Sequence, residues 1–161
     1  MRTKLFITVL AACVCLCSCS SQSSAKPCEL DEKFSSQVKI TNGERNYTAT
    51  LTRADAQIWQ MEFTAPETVA GLRLGFTGDV CTLEMQGLKY ELDRKSVPQW
   101  SCASLCCGAL EEMIAKRGVT CTAQGDTVTE KGSVNGHDFT AQFEDGKIKE
   151  LTFSDQLKCE F

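Results

Sequence analysis

The sequence predicts a mostly β domain of the α+β class, a curved antiparallel sheet closed partway into a barrel and wrapped on one amphipathic helix. Three observations point there. Between Gln37 and Leu92, short runs alternate apolar and polar residues and are separated by turn signals. Between Ser101 and Gly118 the apolar residues switch to helical spacing. Beyond Gly118 the two-residue period returns. Alternating strands bury one face only, and a single helix of about four turns cannot cover a sheet of about ten strands unless the sheet curls around it. Such a shape tends to leave an apolar hollow.

The chain opens with two cations, Arg2 and Lys4, ahead of an apolar run from Leu5 to Cys17. That run is shorter than the ~20 residues needed to cross a bilayer, so it reads as the core of a secretory signal. It ends in Leu16-Cys17-Ser18-Cys19 and is followed by Ser20, Ser21, Gln22, Ser23 and Ser24. This resembles the lipobox of bacterial lipoproteins, with an aliphatic residue at −3, a small one at −1, and then the cysteine that receives diacylglycerol. The resemblance implies cleavage before Cys19 and anchoring through that residue. Leu10-Ala11-Ala12-Cys13 matches the motif even better on local chemistry, but leaves an apolar core of only a few residues. The expected organisation is therefore a signal peptide at 1–18, a lipidated N-terminus and flexible tether at 19–35, and a β domain at 36–161.

Within the domain, Val38 and Ile40 lead to Asn42-Gly43, a strong hairpin signal. Tyr47, Ala49 and Leu51 then share a face, as do Trp59, Met61 and Phe63. Pro66 and Gly71 interrupt the pattern. Leu72, Leu74 and Phe76 follow, then Cys81-Leu83-Met85 and Leu88-Tyr90-Leu92, joined at Gly87. The helical stripe comprises Cys102, Leu105, Cys106, Ala109, Leu110, Met113 and Ile114, with Ser101 or Ser104 as cap and Gly118 just past the end. Glu111 and Glu112 fall outside the stripe and are expected as surface charge. Strands resume at Val119–Cys121, Thr127–Thr129, Phe139–Phe143, Ile148–Phe153 and Leu157–Phe161, with Asn135-Gly136 and Asp145-Gly146 as turns.

The net charge is −4, and removing Arg2 and Lys4 with the leader leaves −6. An acidic domain with no basic stripe is a poor partner for nucleic acid or for an anionic membrane surface. Membrane association is therefore expected from the lipid alone. Of eleven cysteines, Cys28, Cys81, Cys102, Cys106, Cys107, Cys121 and Cys159 lie beyond the lipobox. An odd number outside the cytoplasm cannot pair completely within one chain. There is no CxxC pair, and His137 is the single histidine, so zinc-type spacing is missing. Packing is the main reading of these thiols, with partial disulfides or metal and redox chemistry as alternatives. No Gly-x-Ser-x-Gly elbow, phosphate loop or His-Glu-x-x-His occurs.

The segment Trp59-x-Met-x-Phe-x-Ala-Pro-Glu-x-x-x-Gly-Leu, continuing to Gly78 and Met85-Gln-Gly-Leu-x-Tyr-x-Leu92, resembles small clostridial-type lipoproteins. The ending Phe139-Thr-Ala-Gln-Phe-x-x-Gly-Lys-Ile-Lys-x-Leu-Thr-Phe153, closing on Lys158-Cys-Glu-Phe161, fits the same group. More distantly, residues 36–161 are similar to the LolA-like superfamily of lipoprotein carriers and cell-envelope lipoproteins. That resemblance implies a curved sheet whose concavity binds acyl chains or lipoproteins. This chain has one convincing helix where carriers have more, and a lipid-anchored protein is no diffusible shuttle.

The resulting expectation is a non-enzymatic, lipid-anchored protein on the outer face of a bacterial cell membrane, with no cofactor and no metal. Cys19 is the lipidation site. The expected apolar pocket is lined by Trp59, Met61, Phe63, Leu72, Leu74, Phe76, Leu105 and Leu110, and holds a lipid, a lipoprotein or another apolar ligand. The competing expectation is that these residues fill a packed core and that the partner is another envelope protein.

Overall fold

A computed structural model describes residues 23–154 and 156–161. The expected signal peptide and the expected lipidation site, Cys19, lie outside the described residues. Among the described residues the chain forms β1 (Ser23–Ser24), β2 (Phe34–Asn42), β3 (Arg45–Asp55), β4 (Ile58–Ala65), β5 (Arg73–Thr77), β6 (Val80–Met85) and β7 (Leu88–Asp93). A turn of 3-10 helix at Arg94–Ser96 leads to α1 (Cys102–Ile114), then β8 (Thr120–Gln124), β9 (Thr127–Val134), β10 (His137–Glu144), β11 (Lys147–Phe153) and β12 (Leu157–Glu160).

The strands make one open antiparallel sheet in the order β1-β8-β9-β10-β11-β12-β2-β3-β4-β5-β6-β7. Two meanders, β2 to β7 and β8 to β12, meet where the C-terminal strand β12 pairs with β2. The first meander ends at one edge and the second starts near the other. The connection between them, residues 94–119, must cross the sheet, and it carries α1 over the apolar face. The mostly β antiparallel fold with a single helix is therefore as the periodicity predicts.

The sheet curls. Val134 Cγ2 on β9 stands 2.7 Å from where a Cβ would sit on Gly108 of α1. One turn further along, the Glu111 carboxylate accepts a 2.9 Å bond from Trp59 Nε1 on β4. In a flat sheet β9 and β4, six strand steps apart, would be separated by about 29 Å, whereas Gly108 and Glu111 differ by about 4.5 Å along the helix axis. Only a sheet bent around the helix brings both into reach. Extra residues at Ala54 on β3, Thr64 on β4 and Lys149 on β11 shift the register and supply local bending and twist.

The core lies between this concave face and α1. Val38, Ile40, Ala49, Leu51, Met61, Phe143, Leu151 and Cys159 face it from the strands, and Leu105, Cys106, Ala109, Leu110 and Met113 from the helix, all buried. Gly132 keeps a hole open on the concave face of β9, where the Phe139 ring settles: an added Cβ would meet Phe139 Cζ at 2.7 Å.

Two local details differ from the expected ones. Asn42 pairs with Arg45, so the turn residues are Gly43 and Glu44, with the positive φ at Gly43. The turns Asn135-Gly136 and Asp145-Gly146 have positive φ at both positions, as a type I′ hairpin needs. The helix starts on the Ser101 cap, whose Oγ accepts from Ser104 N–H at 3.3 Å. It ends before Gly118, in a Schellman arrangement: Arg117 N–H reaches Glu112 O and Lys116 N–H reaches Met113 O, both at 3.0 Å. Lys116, not a glycine, takes the left-handed position, with φ 53°.

The expected tether at 19–35 is engaged from its first described residue. Ser23 and Ser24 pair with β8, Ala25 N–H bonds Cys121 O at 3.3 Å, and Cys28 and Leu30 pack on the core. Phe34 already belongs to β2 and meets Trp59 edge-on at 5.6 Å. The folded body thus begins N-terminal of residue 36.

Two substitutions test this packing. Gly132→Ala is expected to destabilise by about 2 kcal/mol, because the buried Phe139 ring has no room to retreat. Lys116→Gly is expected to stabilise by about 1 kcal/mol, through relief of the left-handed backbone cost. Urea denaturation of both variants measures these changes.

Candidate functional site

Register alone sorts the side chains into rows across the concave face. One row runs Leu51, Met61, Leu74, Leu83, Tyr90, and the next runs Arg53, Trp59, Phe76, Cys81, Leu92. Residues directly opposite on neighbouring strands share a face, so each row is continuous. Burial fades along both rows toward β7. Leu51 and Met61 are buried, Leu74 and Leu83 are partly covered, and Tyr90 is 58% exposed. Trp59, Phe76 and Cys81 are buried, and Leu92 is 43% exposed. Leu88, opposite Met85, is 63% exposed. Cover thus thins across β5 and β6, whose inward residues are buried or half-buried, and leaves the apolar face of β7 open. Trp100, in the segment before α1, is also exposed.

Of the eight residues expected to line a pocket, Trp59, Met61, Phe63, Phe76, Leu105 and Leu110 are buried in one core cluster with the helix. Leu72 and Leu74 are partly buried at its margin. The two marginal residues adjoin the open floor, which continues into Leu83, Met85, Leu88, Tyr90 and Leu92. The sequence pattern contained these five as a strand face, but periodicity cannot say how far across the sheet one helix reaches.

A polar lock ties the helix to β3 and β4. Arg53, only 4% exposed, faces inward in line with Ala49 and Leu51. Its Nε and Nη2 donate to the two Glu111 carboxylate oxygens at 3.1 and 3.0 Å, and Nη1 donates to the Glu32 carbonyl. Its guanidinium lies 5.7 Å from the centre of the Trp59 ring. Burial alone would push the Glu111 carboxyl up, but bonds from Arg53 and Trp59 together with the Arg53 charge outweigh it and hold the group below its ordinary value. Glu111 is thus a structural ion-pair partner and not surface charge, unlike its neighbour Glu112, which pairs with exposed Arg117 at 3.0 Å. An inward-pointing arginine in an alternating strand was the sequence signal, since a buried cation requires a partner. At the far end of the floor, the Arg94 guanidinium covers Phe76 at 5.1 Å from the ring centre.

A second buried carboxylate, Glu130, sits 1% exposed on the concave face of β9. It accepts the Cys28 N–H at 2.6 Å. Burial raises its pKa, against the Cys28 bond and the Lys116 charge.

All seven described cysteines are free thiols. Burial pushes Cys102 up to about 11 and raises Cys107, Cys81, Cys28 and Cys121. Cys106 is raised well above its ordinary value by a hydrogen bond with Cys159 and by burial. Thiols so shifted are protonated at neutral pH and make weak nucleophiles. Among the described residues no group of three or more His, Cys, Asp or Glu side chains is disposed to hold a metal ion.

Two hollows lie elsewhere. One, of about 250 Å³, lies on the outer face over Gly75, bordered by Gln60, Arg73, Thr82 and Glu84. The other, of about 290 Å³, flanks the helix and mixes Asp79, Glu111 and Glu112 with Arg94, Lys95 and Arg117. Neither has the single-sign lining that selects a charged ligand. Among the described residues no helix is long and apolar enough to cross a membrane. Comparison with known protein families and with curated proteins finds no match to this chain.

Glu111→Ala is expected to cost about 3 kcal/mol, because it strands the buried Arg53 guanidinium. A depressed carboxylate contributes stability above its unfolded pKa and loses it as pH falls through the folded value, so the gap from wild type should narrow in acid. Glu130→Gln carries the opposite sign. A raised carboxyl loses stability as pH rises through its folded pKa, so the variant should be more stable than wild type at pH 7 and equal to it below about pH 4. Denaturation midpoints across pH measure both.

Proposed function

We propose that the protein is a lipid-anchored envelope lipoprotein of LolA-like type, and that its domain is a non-enzymatic binding module for an acyl chain or similar apolar ligand. The observation that carries this reading is an apolar floor that runs from β5 to the β7 edge and loses its cover on the way. Leu74, Leu83, Met85, Leu88, Tyr90 and Leu92 form contiguous rows on the concave face, the first three half-buried and the last three exposed. From Leu88 to Leu92 the floor runs about 13 Å along the strand, and from β5 to β7 it is about 10 Å wide. Each ligand methylene laid on such a surface contributes up to about 0.8 kcal/mol. The floor has no inward-facing charge between Leu74 and Tyr90, so an extended hydrocarbon meets no buried ion. Tyr90 places a hydroxyl at the rim, where a polar head group would emerge.

The anchor fits this role mechanically. The proposed lipidated residue, Cys19, lies four positions before Ser23, which already pairs with β8. Four residues span at most about 14 Å, so the domain would ride close to the membrane instead of on a long tether. A ligand leaving the bilayer would have a short path to the concave face.

Two measurements test the reading. Native mass spectrometry of the full chain is expected to show a bound lipid that Leu83→Glu removes, while Gln60→Glu on the outer face retains it. Recovery of only the ligand-free mass from wild type overturns the binding role. Radiolabelled palmitate is expected to enter the wild type and not Cys19→Ala. Equal labelling of the two would overturn the anchor.

A further inference from the structure

We infer that β7 is a self-pairing edge, and that two copies of the chain join their sheets through it with Tyr90 on the twofold axis. The strand ends the sheet, and its residues 88–93 are all exposed. The opposite edge is treated differently: β8 is capped by the two-residue strand β1. A six-residue edge without proline or bulge is a ready template for another strand.

The hairpin defines which backbone groups are offered. Its two-residue turn, Gln86-Gly87, makes Met85 and Leu88 the bonded pair next to the turn, and alternate pairs follow. The series continues to Arg94 N–H, which bonds Asp79 O at 2.8 Å. Leu88, Tyr90 and Leu92 therefore spend their backbone groups on β6. Lys89, Glu91 and Asp93 direct theirs outward.

The side-chain pattern then selects the occupant. In an antiparallel pair of two β7 strands centred on Tyr90, Lys89 lies directly opposite the second copy's Glu91, and Glu91 opposite its Lys89. These are the residues with outward N–H and C=O groups, so both positions become bonded pairs. On the concave side Leu88 meets Leu92 of the other copy, and the two Tyr90 rings adjoin. Shifting the register by two residues in either direction sets Lys89 against Lys89 or Glu91 against Glu91 on the axis, a like-charge cost. The strand is thus self-complementary in charge and in apolar pattern at one register, as an isologous interface requires. Its length of about 20 Å places it among small, weak interfaces. Lys89 and Glu91, which pair with each other at 3.0 Å within one strand, lie on the face opposite the apolar floor, so the charge pattern that sets the register is independent of the ligand reading.

Sedimentation equilibrium of the full chain in density-matched detergent tests it, with a concentration series reaching above the micromolar range. Wild type is expected to dimerise. Lys89→Glu and Glu91→Lys, each alone, oppose like charges twice per interface and should weaken the dimer about tenfold or more. Mixing the two variants restores both opposite-charge pairs, so an equimolar mixture should recover wild-type association as a heterodimer. Misfolding cannot produce that recovery. A wild type that stays monomeric throughout, single variants that associate as wild type does, or a mixture no tighter than its components would each overturn the inference. Native mass spectrometry of Lys89→Glu separates the two proposals: lipid retained by the variant leaves the ligand reading standing, whichever way the dimer result falls.

Discussion

The structure depends on one buried ion pair more than on any other polar contact. Arg53 is drawn into the concave face by its place in the alternation of β3, and a guanidinium there requires compensation. Glu111 supplies it from the helix, Trp59 binds the same carboxylate from β4, and the Glu32 carbonyl takes the remaining direction. Four separate parts of the chain converge on one side-chain pair: the N-terminal segment, two strands and the helix. The contact therefore does more than neutralise charge. It sets where on a wide sheet a short helix must lie, and van der Waals packing of leucines alone specifies such a position poorly.

With the helix pinned there, the rest of its surroundings follow from small residues. Gly108 lets the helix backbone approach Val134, and Gly132 lets Phe139 lie flat against β9, so the second meander can close on the helix from the other side. Cysteines act in the same way. Cys106, Cys107 and Cys159 are buried small side chains at the helix–sheet contact, and burial raises the pKa of Cys106 and Cys107, as befits neutral thiols in a dry interior. An odd cysteine count needs no pairing scheme when the residues serve as packing.

Much of this was legible from periodicity. The alternation at Tyr47, Ala49 and Leu51, the stripe from Cys102 to Ile114, and the turns at Asn135-Gly136 and Asp145-Gly146 are local signals, written within a few residues of where they act. What escaped is non-local. Glu111 reads as surface charge because its partner is 58 residues away. The segment before residue 36 reads as tether because its polar composition hides pairing with β8, a strand about a hundred positions later. Of the eight expected pocket residues, six are buried in the core and only Leu72 and Leu74 lie at its margin. Side-chain period identifies the concave face; only the strand order and the site of the polar lock say which part of it stays open.

That open part has a geometric cause. A thirteen-residue helix is about 20 Å long, whereas twelve strands laid flat would extend about 53 Å. Curling brings β9 to β12 and β2 to β4 around the helix, and each further strand would need still tighter curvature. The sheet instead continues as β5, β6 and β7, carrying its apolar alternation with it while burial falls away and is lost at β7. In a strand selected only for solubility, the inward positions of β7 would turn polar as exposure rises. They are Leu88, Tyr90 and Leu92, flanked outward by Lys89, Glu91 and Asp93. Retaining the pattern where burial no longer demands it is the physical argument that this end of the sheet meets something apolar outside its own core.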